Sequence, residues 1–133
     1  MLVAPLLLAP LYDDSKHLEF VLTEAAVRWR LGPQSLMRAQ VDRIITVSAL
    51  ENVTVGIIPQ ETEASVWHDH GFNILDDRGD SGDPVVHVET LTNGLTITDP
   101  ADVAAYKNAF AHLRQLAITG ADAEALLRQI VLA

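Results

Sequence analysis

The sequence has no cysteine, which excludes disulfides, thiolate metal sites and a cysteine nucleophile, and gives no sign of an oxidising compartment. Aromatic residues make up only 5% of the chain, so any core must be mainly aliphatic. Positive charge is scarce as well: 9 Lys and Arg stand against 18 Asp and Glu, for a formal net charge of −9. Such a balance repels phosphate backbones and anionic lipid. The chain is therefore expected to be cytoplasmic, with no direct nucleic-acid binding and no membrane association. Met1 to Leu11 is apolar, but Pro5 and Pro10 interrupt it. It is too short to span a bilayer and lacks the basic region and cleavage pattern of a signal peptide.

Apolar residues make up 49% of the 133 residues. That is too hydrophobic for a disordered chain and long enough to bury about two thirds of the unfolded surface. Residues 1–17 read as an apolar arm, either buried in the domain or paired as an edge strand, or else packed on an upstream domain or a partner, and 18–133 read as a single α+β domain. The domain is organised around Val85 to Pro100. Val85 to Leu91 and Leu95 to Thr98 alternate as strands, and Asn93-Gly94 between them predicts a type I′ turn with φ > 0 at both positions. Asp99-Pro100 then reads as a helix N-cap followed by a residue suited to the first helical position.

The remaining elements follow from periodicity. Leu18 to Leu22 reads as a strand, Thr23-Glu24 as the cap of a brief helical turn, and Pro33 to about Leu50 as a helix. In that helix Leu36, Met37, Val41, Ile44 and Ile45 form the core stripe, while Arg38, Gln40, Asp42 and Arg43 stay in water. Val53 to Pro59 and Phe72 to Leu75 read as strands, with loops at Gln60 to Gly71 and Asp76 to Pro84. A seam of Val103, Tyr106, Phe110, Leu113 and Ala117 predicts a long helix, which Thr119-Gly120 ends, and Leu126, Leu127, Ile130 and Val131 predict a last one. The expected fold is α+β in the order β-α-β-β-β-β-α-α. It has one mostly antiparallel sheet of about five strands with helices on one face, and a crossover between the first two strands would make that pair parallel.

No string of residues makes a coherent catalytic set. Gly79 to Pro84, GDSGDP, is similar to the GDSGGP around the nucleophile of trypsin-like proteases, but Asp83 replaces a glycine and the chain is too short for their double barrel. Ser81 is read as a turn residue. His68, Asp69 and His70, with Asp76, Asp77, Asp80 and Asp83 nearby, match no metal-loop spacing and are read as a solvated loop. Glu24, His87 and Glu89 are the candidate ligand-binding residues: a carboxylate at a helix start, and a histidine and carboxylate on one face of a strand. Val86 and Val88, on the other face, are the expected core side. Trp29 and Trp67, with Arg28 and Arg30 flanking Trp29, are the candidate partner-binding residues, because tryptophan and arginine are enriched at interface hot spots.

One series of segments carries a resemblance. Leu22-Thr23-Glu24-Ala25-Ala26-Val27-Arg28 is followed by Gly32 with Met37-Arg38-Ala39-Gln40, then by Asn52-Val53-Thr54-Val55 up to Pro59. Val88-Glu89-Thr90-Leu91-Thr92-Asn93-Gly94-Leu95 comes next, with Asp99-Pro100 and Tyr106. From about Leu18 to its end the chain resembles the uncharacterised C-terminal domain that follows XRE-type helix-turn-helix domains in actinobacterial regulators. The resemblance implies the effector or partner-binding half of a transcriptional regulator, often encoded beside a small partner protein. Such pairs are compared with developmental switches and toxin–antitoxin modules. It carries over no catalytic residue and no cofactor. The expectation is a non-enzymatic domain that associates with itself or with a small protein; the alternative is a small-molecule sensor with a pocket between sheet and helices.

Overall fold

Parallel pairing of β1 (Leu18–Thr23) with β2 (Val53–Ile58) begins at Leu18 opposite Val53 and ends at Thr23 opposite Ile58. This is a computed structural model, which describes residues 15–30, 32–63, 70–76 and 83–132; residues 1–14 of the expected apolar arm lie outside them. The connection between the two strands holds a short helix, α1 (Glu24–Arg28), and a longer one, α2 (Gln34–Ser48). Thr23 caps α1 by accepting the Ala26 N–H at 3.2 Å. The expected crossover and its parallel pair are therefore present.

β2 is apolar on both sides because both are covered. Val53, Val55 and Ile57 are buried, and so are Gly56 and Ile58 on the opposite pleat, the pattern of a strand inside a parallel sheet. α2 and α4 (Gly120–Leu132) pack on each other and on β2. Val41, Ile44 and Val47 of α2 join Ala123 and Leu127 of α4, Val27 of α1 and the inner residues of β2 in one hydrophobic cluster.

The remaining strands form a second, separate sheet of three in the order β3 (Asn73–Leu75), β4 (Val85–Glu89), β5 (Gly94–Ile97), antiparallel throughout. The fold is α+β as expected, but the single five-stranded sheet is not formed. One edge of the two-stranded sheet is taken within its own unit: the Ile57 N–H donates to the Ile118 carbonyl, and the Ile57 carbonyl accepts the Ile118 N–H, each at 2.9 Å. The segment just before α4 thus occupies the edge of β2 that faces away from β1. Val86 and Val88 of β4 pack instead with Val103 of α3 (Pro100–Leu116), with Phe72, Ile74, Ile97 and Tyr106 around them. By contacts, the chain divides into two units, one made of the described residues up to Thr62 and from Leu116, the other of Glu63–Gln115.

The hairpin is real but its turn is not type I′. Glu89 pairs with Gly94, leaving Thr90 to Asn93 as the loop, and among the described residues only Gly120 has a positive φ, at 60°. The Thr90 N–H donates to the Asn93 carbonyl at 2.8 Å, and the Asn93 N–H donates to Thr90 Oγ1 at 3.0 Å. These bonds close a four-residue loop in which no residue needs the left-handed region. Gly94 becomes the first strand residue. Past β5, Asp99 Oδ2 accepts the Asp102 N–H at 3.2 Å, so α3 starts at the expected cap.

Candidate functional site

Thr23 places Glu24 at the first position of α1, and one turn later the helix delivers Arg28 to the same side. This is the spacing at which a carboxylate and a guanidinium meet. Arg28 Nε donates to Glu24 Oε2 at 2.5 Å, and the Gln60 N–H donates to Glu24 Oε1 at 3.1 Å. Glu24 is the buried charged residue of the described chain, at 7% exposure. Its pKa is held below the ordinary carboxylate value, first by the Arg28 hydrogen bond, then by the Gln60 N–H and the Arg28 charge; burial acts in the opposite direction. A carboxylate with both oxygens engaged and a depressed pKa is a poor proton acceptor at neutral pH. What it does is tie α1 to the chain leaving β2 and fix the guanidinium of Arg28.

The anchored Arg28 opens onto a cleft of about 250 Å³ between α1, α2 and α4. Val27, Met37, Val41, Ile130 and Val131 supply apolar lining, and Arg28, Arg30, Arg38 and Gln34 supply the polar lining. Of the 9 basic residues in the sequence, three therefore converge on one cleft. Arg30 and Arg38 are exposed, and neither forms an ion pair with a described carboxylate. Trp29 lies between two of these arginines in sequence, at the C-cap of α1, with 70% of its surface exposed.

Arg28, Trp29 and Arg30 stand out in the sequence; Arg38, expected in water, is exposed and also lines the cleft, and Met37, expected in the core stripe, is half-buried at the cleft wall. A signal for both existed. Gln34, Met37, Arg38 and Val41 stand at i, i+3, i+4 and i+7, which is one face of a helix. Nothing local could have supplied Ile130 and Val131, which α4 brings from the far end of the chain.

His87 and Glu89 lie in the other unit from Glu24. They project from the outer side of β4, opposite the buried Val86 and Val88, with His87 Nε2 3.6 Å from Glu89 Oε1. Glu89 is well exposed, and a Cβ on Gly94 would sit 3.4 Å from the His87 ring. Trp67, His68, Asp69, Asp77, Asp80 and Ser81 lie outside the described residues. His70 Nδ1 is 3.2 Å from the Gly71 carbonyl, and its ring is 6.3 Å from that of Tyr106. Among the described residues no group of three or more His, Asp or Glu is placed to hold a metal ion, and no helix is long and apolar enough to cross a membrane.

The family model described as Domain of unknown function (DUF5753) matches residues 8–129. No match was found among curated proteins or among solved structures.

Proposed function

The chain belongs to the family Domain of unknown function (DUF5753), and we propose that it is the effector or partner-binding domain of an XRE-type transcriptional regulator, non-enzymatic and cytoplasmic, that works by protein–protein association. The observation that carries this reading is Trp29, 70% exposed at the end of α1. Leaving a large indole in water is unfavourable, whereas tryptophan flanked by arginine is the composition of interface hot spots. Arg28 and Arg30 set a positive patch on a chain whose net charge is −9, which suits an acidic partner and disfavours unselective association of like-charged copies. The partner is a second copy of the chain or a small protein encoded beside it. Nucleic-acid contact belongs to a helix-turn-helix domain, not to these residues.

Testing this reading takes the purified chain and its genomic neighbour. Binding by calorimetry that Trp29→Ala weakens by about tenfold or more supports it, the size expected of one hot-spot side chain. Association that Trp29→Ala leaves unchanged overturns the assignment of the patch.

A second reading, a small-molecule sensor, is favoured by the cleft of about 250 Å³. The cleft is lined from three helices of one unit, and Glu24 serves it indirectly, by fixing Arg28.

A further inference from the structure

We propose that the cleft between α1, α2 and α4 is a binding site for a small amphiphilic carboxylate, a single anionic head on a short aliphatic body. The proposal goes beyond partner binding and does not depend on it. Three features of the cleft define the ligand.

The first is charge. Arg28, Arg30 and Arg38 line one opening of about 250 Å³. Only Arg28 has a carboxylate partner among the described residues, and that partner engages Nε, so the terminal nitrogens of its guanidinium keep their donors. Arg30 and Arg38 have no counter-ion among the described residues; like charges gathered in this way repel one another, and an anion that accepts from them relieves the repulsion while forming charge-assisted hydrogen bonds. The rest of the protein is acidic, so this cleft is where an anion is drawn.

The second is the apolar lining. Val27 and Val41 are fully buried beneath it, and Met37, Ile130 and Val131 are half-buried at its walls. A bare inorganic anion leaves these side chains uncovered; an aliphatic body removes them from water. The third is size. At about 250 Å³ the cleft lies below the roughly 300–1,000 Å³ of sites for drug-sized ligands, so it suits a short-chain carboxylate such as hexanoate. Gln34 adds an amide able to donate to a carboxylate oxygen.

The test uses the whole chain with methionine methyls labelled with carbon-13. Its two methionines are Met1 and Met37, so one signal reports from the cleft wall. Titration with hexanoate is expected to move the Met37 methyl resonance saturably, with a dissociation constant on the order of 0.1–1 mM, as befits so few atoms. The double variant Arg30→Gln/Arg38→Gln, which alters exposed side chains and leaves the core intact, is expected to weaken hexanoate by about tenfold or more. Arg128→Gln, which removes the exposed pair with Glu124 on α4, is expected to leave it unchanged, as is Trp29→Ala, which separates this site from the partner patch. The proposal is overturned if hexanoate leaves Met37 unmoved, or if the double variant binds it as tightly. It is equally overturned if hexan-1-ol matches hexanoate, which removes the anion requirement, or if inorganic phosphate does, which removes the apolar one.

Discussion

Glu24 and Arg28, one helical turn apart, join a buried carboxylate to a guanidinium that lines a cleft, through a hydrogen bond of 2.5 Å. The other carboxylate oxygen holds the Gln60 N–H, so the pair sets the position of α1 against the end of β2. Removing the carboxylate leaves a backbone donor and a guanidinium without their acceptor. Glu24→Ala is expected to cost about 1–3 kcal/mol in urea unfolding, and a cost within error of zero would contradict the account.

The same residue predicts an acid limb. The pKa of Glu24 is lowered from its ordinary 4.5 in the folded chain, so the folded state favours the ionised form. Its contribution to stability is complete above the unfolded value of 4.5 and is lost as the pH falls through the lower folded value. Stability of the wild type, measured by urea unfolding across that window, is expected to drop more steeply with falling pH than that of Glu24→Gln. Parallel profiles would place the acid sensitivity elsewhere.

Glycine substitutions separate the observed turn from the one the sequence suggests. In a type I′ turn, alanine at Gly94 would be forced into the left-handed region at a cost of about 1–2 kcal/mol. Here the φ of Gly94 is not positive, and a Cβ meets only the rim of His87 at 3.4 Å. Gly94→Ala is therefore expected to change stability by less than about 0.5 kcal/mol, because the restricted unfolded chain offsets the contact. Gly120→Ala, at φ 60° with no atom near its Cβ, is expected to cost about 1–2 kcal/mol from backbone strain alone. Thermal unfolding of the two variants ranks them, and the reverse order would refute the turn described.

Ile57 and Ile118 make a prediction for hydrogen exchange. Ile118 belongs to no regular strand, yet its N–H is bonded to the Ile57 carbonyl at 2.9 Å, and Ile57 is fully buried. Its amide is expected to exchange as slowly as those of β2. A Cβ on Gly56 would come within 2.9 Å of the Ala117 Cβ, so Gly56→Ala is expected to push this segment off the strand and cost about 1–3 kcal/mol. Rapid exchange at Ile118 in the wild type would contradict the bridge that closes this edge of β2.

These cases mark what could be read in advance. The helix from Gln34 and the cap at Asp99 were legible because their signals are local: apolar spacing over four turns, and a side-chain oxygen three residues ahead of a free N–H. The strands were legible too, along with the parallel pair, since a helix fills the crossover between β1 and β2. The partition into two sheets was not, because which strands pair is settled by contacts between distant pieces of chain, as at Ile57 and Ile118, that no period in the sequence encodes. The Asn93-Gly94 turn misled for a related reason: Thr90 offers its own hydroxyl to the Asn93 N–H, and that local bond stabilises a longer loop. At the cleft, Arg28 and Arg30 stand out in the sequence as neighbours of Trp29, and helical spacing sets Arg38 on one face with Gln34, Met37 and Val41, whereas Ile130 and Val131 join them only through the fold.

The most direct test of the central claim, that this domain recognises a protein through Trp29 and its arginines, is light scattering of the full chain and of Trp29→Ala, alone and mixed with the protein encoded beside it. The account predicts a complex, of two copies or of chain and neighbour, that forms at micromolar concentration with wild type and falls apart with Trp29→Ala. A chain that stays monomeric in both settings, or a complex that the substitution leaves intact, would contradict it.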